Sequence, residues 1–231
     1  VIVDKPTKVD ATAPETSRSG IDAGATIATD VISIAKSAKN ELIIVSPYFV
    51  PGTHGMDVIR ELVARGVKVK VLTNSLAATD AAVVHIGYSR YREDLLKMGV
   101  ELFELRPQPG SEGAQLSALG SSKASLHAKV LLIDRHRLFI GSFNVDQRSS
   151  LENTEMGLRI ESDALAAEIL DRLRERGEES RYQVRLAPDG HMQWVTRNDG
   201  AEQVFDQEPD ASLLLKFTLR VLAPFAPEQM L

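Results

Sequence analysis

The chain has 231 residues, of which 43% are hydrophobic, and its formal net charge is −5 at pH 7. This length is enough to bury a core as one large domain or two small ones. The acidic balance argues against a general electrostatic grip on nucleic acid, and the absence of cysteine excludes disulfides and thiolate metal sites. No apolar run approaches the roughly 20 residues that a membrane-spanning helix needs.

The first half of the sequence predicts alternating helices and strands. Residues 1–20 are polar and contain proline, so we expect an extended connector from a missing N-terminal lobe. Apolar residues recur at helical spacing over 21–39 and 56–63, and Gly66 ends the second of these helices. A third helix is expected over 80–98. Short apolar runs predict strands over 42–45, 67–72 and 100–105.

The second half predicts hairpins as well as helices. Residues 107–125 are rich in glycine, serine and alanine, which indicates a loop. The elements expected after it are a hairpin over 126–142, a strand over 156–161, a helix over 163–176, a hairpin over 182–196 and a helix over 211–222. The strand–helix–strand rhythm indicates an α/β fold with a mixed, largely parallel sheet flanked by helices. We expect one domain over 21–176, with the C-terminal hairpin and helix of 177–231 packed on it.

The segment 126–155 carries the most chemical information. It contains an ordered set of residues: His127, Lys129, Asp134, Gly141, Ser142, Asn144 and Glu155. On a strand, residues two apart share a face, so His127 and Lys129 are expected to project together. Neutral imidazole is a nucleophile and protonated imidazole is a general acid, while lysine places a positive charge on phosphate oxygens. The pair therefore suits attack on a phosphodiester.

The other members of the set have supporting roles in this interpretation. Ser142 and Asn144 add neutral hydrogen-bonding groups, and Glu155 is placed to orient and charge-stabilise the imidazole. Asp134 begins the sequence D-R-H-R between two apolar strands, which predicts that it shapes a turn and pairs with a basic neighbour. A lone histidine on a strand is usually structural. The full ordered set argues against that alternative.

The order H-x-K-x4-D, followed by G-S-x-N with Gly141, resembles the HKD signature of the phospholipase D superfamily. Three further blocks are similar to the second half of bacterial cardiolipin synthases of the C type: residues 46–52 (SPYFVPG), Thr73-Asn74-Ser75 with Asp80, and residues 85–92 (HIGYSRYR). The resemblance implies a phospholipase D-like fold, of which this chain is one HKD lobe. In that family two lobes face each other across one pocket.

The resemblance also implies a function. It points to a phosphatidyltransferase that acts on phospholipid phosphodiesters through a phosphohistidine intermediate, without a metal or other cofactor. One histidine attacks phosphorus and the other protonates the leaving alcohol, and family analogy gives His127 the acid role. The expected location is peripheral, at the cytoplasmic face of the bacterial inner membrane. The alternatives are an HKD nuclease or phospholipase D that hydrolyses its substrate, and a non-catalytic docking lobe.

The sequence contains a single H-x-K, so the site needs a partner. The expected partners are the phospholipid substrate, the missing N-terminal lobe or a second copy of this lobe, and the membrane surface; no nucleic acid is expected. Asn74 and Ser75 follow a parallel strand, where ligands gather, and are candidate substrate contacts, with helix capping as the alternative. Tyr48 is a candidate for lining the substrate groove, although core packing is the commoner role for such a residue.

The segment 211–225 has two interpretations. On a helix, Lys216 and Arg220 fall four residues apart on one face, and apolar side chains cover the rest. Such a helix can lie among lipid headgroups with its cations toward phosphate. It can equally close the core, and we favour that alternative because apolar helices are more often buried.

Overall fold

The computed structural model of the protein describes residues 1–4, 26–107, 126–175, 177–198 and 200–222. Within these ranges ten strands form one sheet, accompanied by seven α-helices. The strands are β1 (Ile2–Val3), β2 (Glu41–Val45), β3 (Lys68–Asn74), β4 (Glu101–Leu105), β5 (Val130–Ile133), β6 (Arg137–Gly141), β7 (Met156–Glu161), β8 (Arg181–Leu186), β9 (Met192–Asn198) and β10 (Ala201–Phe205). The helices are α1 (Ile27–Lys36), α2 (Gly52–Ala64), α3 (Ala82–Ser89), α4 (Arg92–Lys97), α5 (Gln147–Leu151), α6 (Asp163–Glu175) and α7 (Leu213–Leu222).

The sheet is mixed, with the strand order β1-β7-β6-β5-β2-β3-β4-β8-β9-β10. Among the described strands, only β2–β3 and β3–β4 pair in parallel, and the other seven neighbouring pairs are antiparallel. The predicted α/β class and mixed sheet are confirmed, but the expected predominance of parallel pairing is wrong. Helices connect β2, β3 and β4, which permits parallel crossovers. Short turns connect strands such as β5 and β6, which makes them antiparallel hairpins.

Alternate residues of the central strands face two separate cores. On β2, Leu42 and Ile44 belong to the core beneath α1, α2 and α4. Ile43 and Val45 belong to the core beneath α6. A strand that is buried on both faces needs a continuous apolar run, because both sets of alternating side chains leave water. The register pairs Val45, the last residue of β2, with Leu72 of β3 and with Val130 of β5, and β2 leaves the sheet after this point.

The observed elements differ from the predicted ones at several places. Helix α1 is shorter than the predicted 21–39, of which residues 21–25 lie outside the described ranges. The single helix expected over 80–98 is two helices, α3 and α4, separated by Arg90 and Tyr91. The loop predicted over 107–125 lies almost wholly outside the described residues. Strands β1 and β10 and helix α5 were not predicted.

A buried charged cluster joins the C-terminal strands to the rest of the domain. The guanidinium of Arg92 is buried, and it pairs with Glu208 and, at 3.5 Å, with Glu104. It also lies 2.7 Å from Nε2 of His85. The indole of Trp194 donates to Glu104 at 2.9 Å, and the guanidinium stacks 5.3 Å from the centre of the indole ring. The segment after β10 is thereby held on α3, α4 and β4.

Helix α7 has one packed face and one exposed face. Leu215 and Leu219 pack against Leu76 and Ile86, as the core alternative predicted. The other face presents four apolar side chains that are between 50% and 79% exposed: Leu213, Leu214, Phe217 and Val221. The side chain of Arg220 lies outside the described part of the chain. None of the helices in the described ranges combines the length and apolarity that crossing a bilayer requires.

Candidate active site

The turn between β5 and β6 is built by Asp134. Asp134 and Arg135 have φ of 51° and 57°, the left-handed pattern of a hairpin turn that matches the twist of its strands. The Asp134 carboxylate accepts backbone N–H bonds from residues 39–41, the shortest being 2.7 Å, and pairs with Arg137 at 3.4 Å. Burial raises the pKa of Asp134, but these hydrogen bonds and Arg137 outweigh it and lower the pKa below the usual value. Asp134 lies at the opposite end of β5 from His127.

His127 and Lys129 lie just before β5, which begins at Val130, so the prediction that they sit within a strand is wrong. The neighbouring strand explains the difference. Val130 pairs with Val45, the last residue of β2, and beyond that point β2 offers the segment no ladder partner. His127 is exposed, whereas Lys129 is 9% exposed and its Nζ donates to the His127 carbonyl at 2.9 Å.

The Lys129 ammonium lies in a partly desolvated, acidic setting. Burial lowers the pKa of Lys129 below its ordinary value of 10.5, while the negative charges of Glu155, Asp146 and Asp80 act in the opposite direction. A desolvated ammonium attracts an incoming phosphate oxygen more strongly than a hydrated one, because the surrounding dielectric is lower. The three carboxylates favour the protonated, positively charged form of Lys129.

Ser142 and Glu155 meet where β6 and β7 come together. The Ser142 hydroxyl donates to the Glu155 carboxylate, and the Met156 backbone N–H donates to Ser142 Oγ at 3.1 Å. Glu155 is buried, and its backbone exchanges hydrogen bonds with Asp4: the Asp4 N–H donates to the Glu155 carbonyl at 3.0 Å, and the Glu155 N–H donates to Asp4 Oδ2 at 3.1 Å. The strands approach closely because Gly141 has no side chain. A Cβ there would lie 2.3 Å from the Met156 carbonyl.

Asp146 is a member of this site that sequence reasoning missed. It begins α5, its carboxylate accepts the Ser149 backbone N–H at 2.7 Å, and burial raises its pKa. The Ser149 hydroxyl in turn accepts the Asn144 N–H at 3.2 Å. Aspartate is a favoured residue at the N-cap of a helix, and this signal was present in the sequence D-Q-R-S. Helix α5 therefore holds the G-S-x-N segment in place.

Tyr48 lies at the edge of the same site. Its hydroxyl donates to Asp80 Oδ1 at 3.0 Å, and its side chain is half-buried. Burial raises the pKa of Tyr48 to about 12, and the hydrogen bond to Asp80 adds to the effect. The phenol therefore stays protonated at neutral pH. Its position beside Asp80 makes it a polar wall of the site rather than part of the core.

Asn74 and Ser75 occupy the carboxyl end of β3 but do not face solvent. Both are buried, and Asn74 is 2% exposed. The Leu126 backbone N–H donates to Asn74 Oδ1 at 2.9 Å, and Asn74 Nδ2 donates to the Leu126 carbonyl at 3.4 Å. Neither residue caps the next helix, because α3 has Ala81 at its N-cap. The Asn74 amide thus binds the backbone that leads into His127.

The arrangement combines an exposed imidazole, a desolvated ammonium and a carboxylate–hydroxyl pair at one end of the sheet. The groups suit transfer of a phosphoryl-type centre between oxygen and nitrogen. In the described ranges no group of three or more His, Asp or Glu side chains is placed to hold a metal ion. The fold and this set of groups define the class as a phospholipase D-like HKD domain.

Comparison with known proteins places the chain within that class. Residues 31–176 match the family model described as "Cardiolipin synthase, PLD-like domain", and the chain belongs to this family. It is 43% identical over 203 residues to cardiolipin synthase C of Escherichia coli (strain K12), covering 87% of this chain and 43% of that protein. It is 32% identical over 148 residues to cardiolipin synthase A of Pseudomonas aeruginosa (strain PAO1), covering 64% of this chain and 26% of that protein. The predicted resemblance is confirmed.

A solved structure supports the fold. The chain superposes on phosphatidylserine synthase of Haemophilus influenzae Rd KW20 with a TM-score of 0.58 and 13% sequence identity. The match covers 90% of this chain and 46% of that one. The chain therefore spans less than half the length of these relatives.

Proposed function

We propose that the chain is the C-terminal HKD lobe of a phosphatidyltransferase of the cardiolipin synthase type. Its substrates are phospholipids, and its reaction exchanges the alcohol of a phosphodiester through a phosphohistidine intermediate. The observation that carries the proposal is the exposed His127 whose own carbonyl binds the partly desolvated Lys129 ammonium at 2.9 Å. Membership of the cardiolipin synthase family supports a phospholipid as the substrate.

Two histidines share the chemistry in this proposal. The nitrogen of one imidazole attacks phosphorus, so that a P–N bond forms and the P–O bond to the leaving alcohol breaks. The other histidine, in its protonated form, gives its proton to the leaving oxygen. The hydroxyl of a second lipid then attacks phosphorus, passes its proton to that imidazole, and breaks the P–N bond. By family analogy His127 is the acid, and the partner histidine belongs to the missing lobe or to a second copy of this lobe.

The remaining polar groups stabilise the charge and fix the geometry of the site. Lys129 binds the non-bridging phosphate oxygens as negative charge grows on them. Ser142 and Glu155 form one hydrogen-bonded unit, in which Glu155 keeps positive charge on the site and Ser142 fixes the carboxylate. Asn144 contributes an amide, and Tyr48 a protonated hydroxyl, for the phosphate or the headgroup.

We also propose that the protein works as a peripheral protein at the cytoplasmic face of the bacterial inner membrane. The exposed apolar face of α7, with the half-buried Lys216 between its apolar residues, supports a lipid surface as partner. Helix α7 packs on Leu76 and α3, close to the loop that carries Asp80. The lipid-facing surface and the site would then share one end of the molecule.

The test replaces His127 or Lys129 with alanine in the natural full-length protein. We expect either change to reduce product formation from labelled phospholipids by at least about 100-fold, because each removes a group that acts on the transition state. The melting temperature should stay near that of the parent, since His127 is exposed and Lys129 makes a single described hydrogen bond.

Two matched controls come from the same chain. His136→Ala removes an exposed histidine that pairs with Asp163, and Lys97→Ala removes an exposed lysine that pairs with Glu93. Both should retain the parent's turnover. Activity near the parent's level in His127→Ala would contradict the proposal. Release of free phosphatidic acid in place of a transfer product would show that the enzyme hydrolyses its substrate.

A further inference from the structure

Among the strands that the structure describes, none lies beside residues 126–129 on the side of β2. Strand β2 lies between β3 and β5, and its last residue, Val45, pairs with Leu72 on one side and with Val130 on the other. Beyond Val45, Ser46 still donates its N–H to the Leu72 carbonyl at 3.0 Å, and the chain then bends at Pro47 and Tyr48. Asn74 of β3 and residues 126–129 before β5 therefore continue past the last ladder pairs of β2, and no strand in the described ranges fills the gap between them.

The side chain of Asn74 crosses that gap. An amide carries one acceptor and two donors, so it can bind both polar groups of a backbone residue, as a neighbouring strand does. Asn74 makes both of these bonds to Leu126, at 2.9 Å to the N–H and 3.4 Å to the carbonyl. It is 2% exposed, which makes the contact dry and well defined.

Together with Lys129, Asn74 holds the backbone on both sides of the Leu126–His127 peptide. Asn74 binds the Leu126 N–H and carbonyl, and Lys129 Nζ binds the His127 carbonyl at 2.9 Å. The Cα of His127 lies between these anchoring points. A shift of about 1 Å at a reacting group can cost about 100-fold in rate, so an anchor at the adjacent residue has kinetic consequences.

We propose that Asn74 is a positioning residue: its side-chain amide replaces the missing strand neighbour and sets the location of His127. The inference rests on the proposed function and deepens it. It also revises the sequence-based expectation that Asn74 contacts substrate. A positioning residue acts through another residue, so its loss should lower kcat and leave KM nearly unchanged, whereas loss of a substrate contact should raise KM.

The first variant is Asn74→Leu, which keeps the branching and the number of heavy atoms of the side chain and removes both hydrogen bonds to Leu126. In the natural full-length protein we expect a fall in kcat of about 100-fold with KM within about twofold of the parent. The second variant is Asn74→Asp. An ionised carboxylate accepts from the Leu126 N–H but repels the Leu126 carbonyl, whereas a protonated carboxyl offers one donor and one acceptor, like the amide.

The pH profile of Asn74→Asp separates positioning from a general loss of folding. Its activity relative to the parent should rise at least about tenfold as the pH falls from 8 to 5.5, because burial favours the protonated carboxyl. Asn74→Leu has no such group and should show a constant ratio to the parent. If Asn74→Leu does not fold, the Asn74→Asp profile decides by itself, provided that kcat is calculated per folded molecule. An aspartate that only destabilises the fold gives no recovery of that kcat on acidification.

His127→Ala, measured in the same assay, separates the positioning role of Asn74 from the proposed function of the protein. An inactive His127→Ala with a fully active Asn74→Leu overturns the positioning role and leaves the proposed function standing. A flat relative pH profile for Asn74→Asp, or a raised KM with unchanged kcat in Asn74→Leu, also overturns it. An active His127→Ala removes the proposed function and the positioning role with it.

Discussion

Replacing Glu208 with glutamine should weaken the fold measurably, because this carboxylate balances a buried arginine. Burial raises the pKa of Glu208, but hydrogen bonds from His85 and the charge of Arg92 outweigh that effect and lower the pKa from 4.5 to about 2. At about 1.4 kcal/mol for each tenfold change in proton affinity, this corresponds to roughly 3 kcal/mol of stability at neutral pH. Glu208→Gln keeps the shape of the side chain and removes its charge, leaving Arg92 with Glu104 as its described anionic partner.

The expected change in melting temperature follows from that energy. For a domain of this size, 1 kcal/mol shifts the midpoint by about 2–4 °C, so Glu208→Gln should melt roughly 6–12 °C below the parent at pH 7. Scanning calorimetry of the full-length protein measures the shift in the transition of this domain. Glu93→Gln is a matched control: its pair with Lys97 is i,i+4, the Glu93 side chain is 56% exposed, and such a pair contributes under about 1 kcal/mol.

The pH dependence of the difference in melting temperature tests whether the charge of Glu208 causes it. Because the pKa of Glu208 is lowered in the folded state, its contribution is complete above about pH 4.5 and is lost as the pH falls toward 2. The difference in melting temperature between the parent and Glu208→Gln should therefore decrease steadily as the pH falls from 5 to 3. Equal midpoints at pH 7, or a gap that keeps its size down to pH 3, would refute this account of the cluster.

Two further predictions concern the site and the surface. Glu155→Gln should lower kcat with little change in KM. It should also move the alkaline limb of the pH–rate profile to lower pH, because the charge of Glu155 raises the pKa of Lys129. An alkaline limb at the same pH as in the parent would show that Glu155 does not act in the site. The double change Leu214→Ser with Phe217→Ser should keep the parent's melting temperature and reduce sedimentation with liposomes of anionic phospholipid, because both side chains are exposed. Leu219→Ala, on the packed face of the same helix, should instead cost about 2–5 kcal/mol of stability. Undiminished sedimentation of the double variant would exclude the exposed face of α7 as the lipid contact.

Local patterns predicted most of the elements, because periodicity and turn residues act over short distances. The apolar run of β2 and the turn at Asp134 are examples in which the sequence and the structure agree. Strand β10 was missed because only Phe205 among its residues is even partly buried, so no alternation marks it. Strand β1 was missed because it has two residues. Strand direction was misjudged because it depends on which strands become neighbours, and single segments do not carry that information.

The candidate site was predictable in its residues but not in its contacts. The spacing of His127, Lys129 and Glu155 predicted a candidate site, since those residue types have few other reasons to occur in that order, and their catalytic roles stay predictions. The bonds from Asn74 to Leu126 could not be foreseen, because they depend on the point at which β2 ends relative to its neighbours. Asp146 carried a readable helix signal, and its closeness to Lys129 appears only after folding.

The contact between Asp4 and Glu155 has a consequence for the order in which the site assembles. The hairpin of β5 and β6 closes across a three-residue turn, whereas Asp4 must meet a residue 151 positions away. Because the entropy of loop closure grows with the logarithm of length, the second event costs about 3.5 kcal/mol more than the first. We therefore expect the strand that follows His127 and Lys129 to form early. The bonds between Asp4 and the Glu155 backbone should form among the last steps of folding. A chain stalled late in folding would then contain the β6–β7 pair, with Ser142 on the Glu155 carboxylate, before β1 is added to the edge of the sheet.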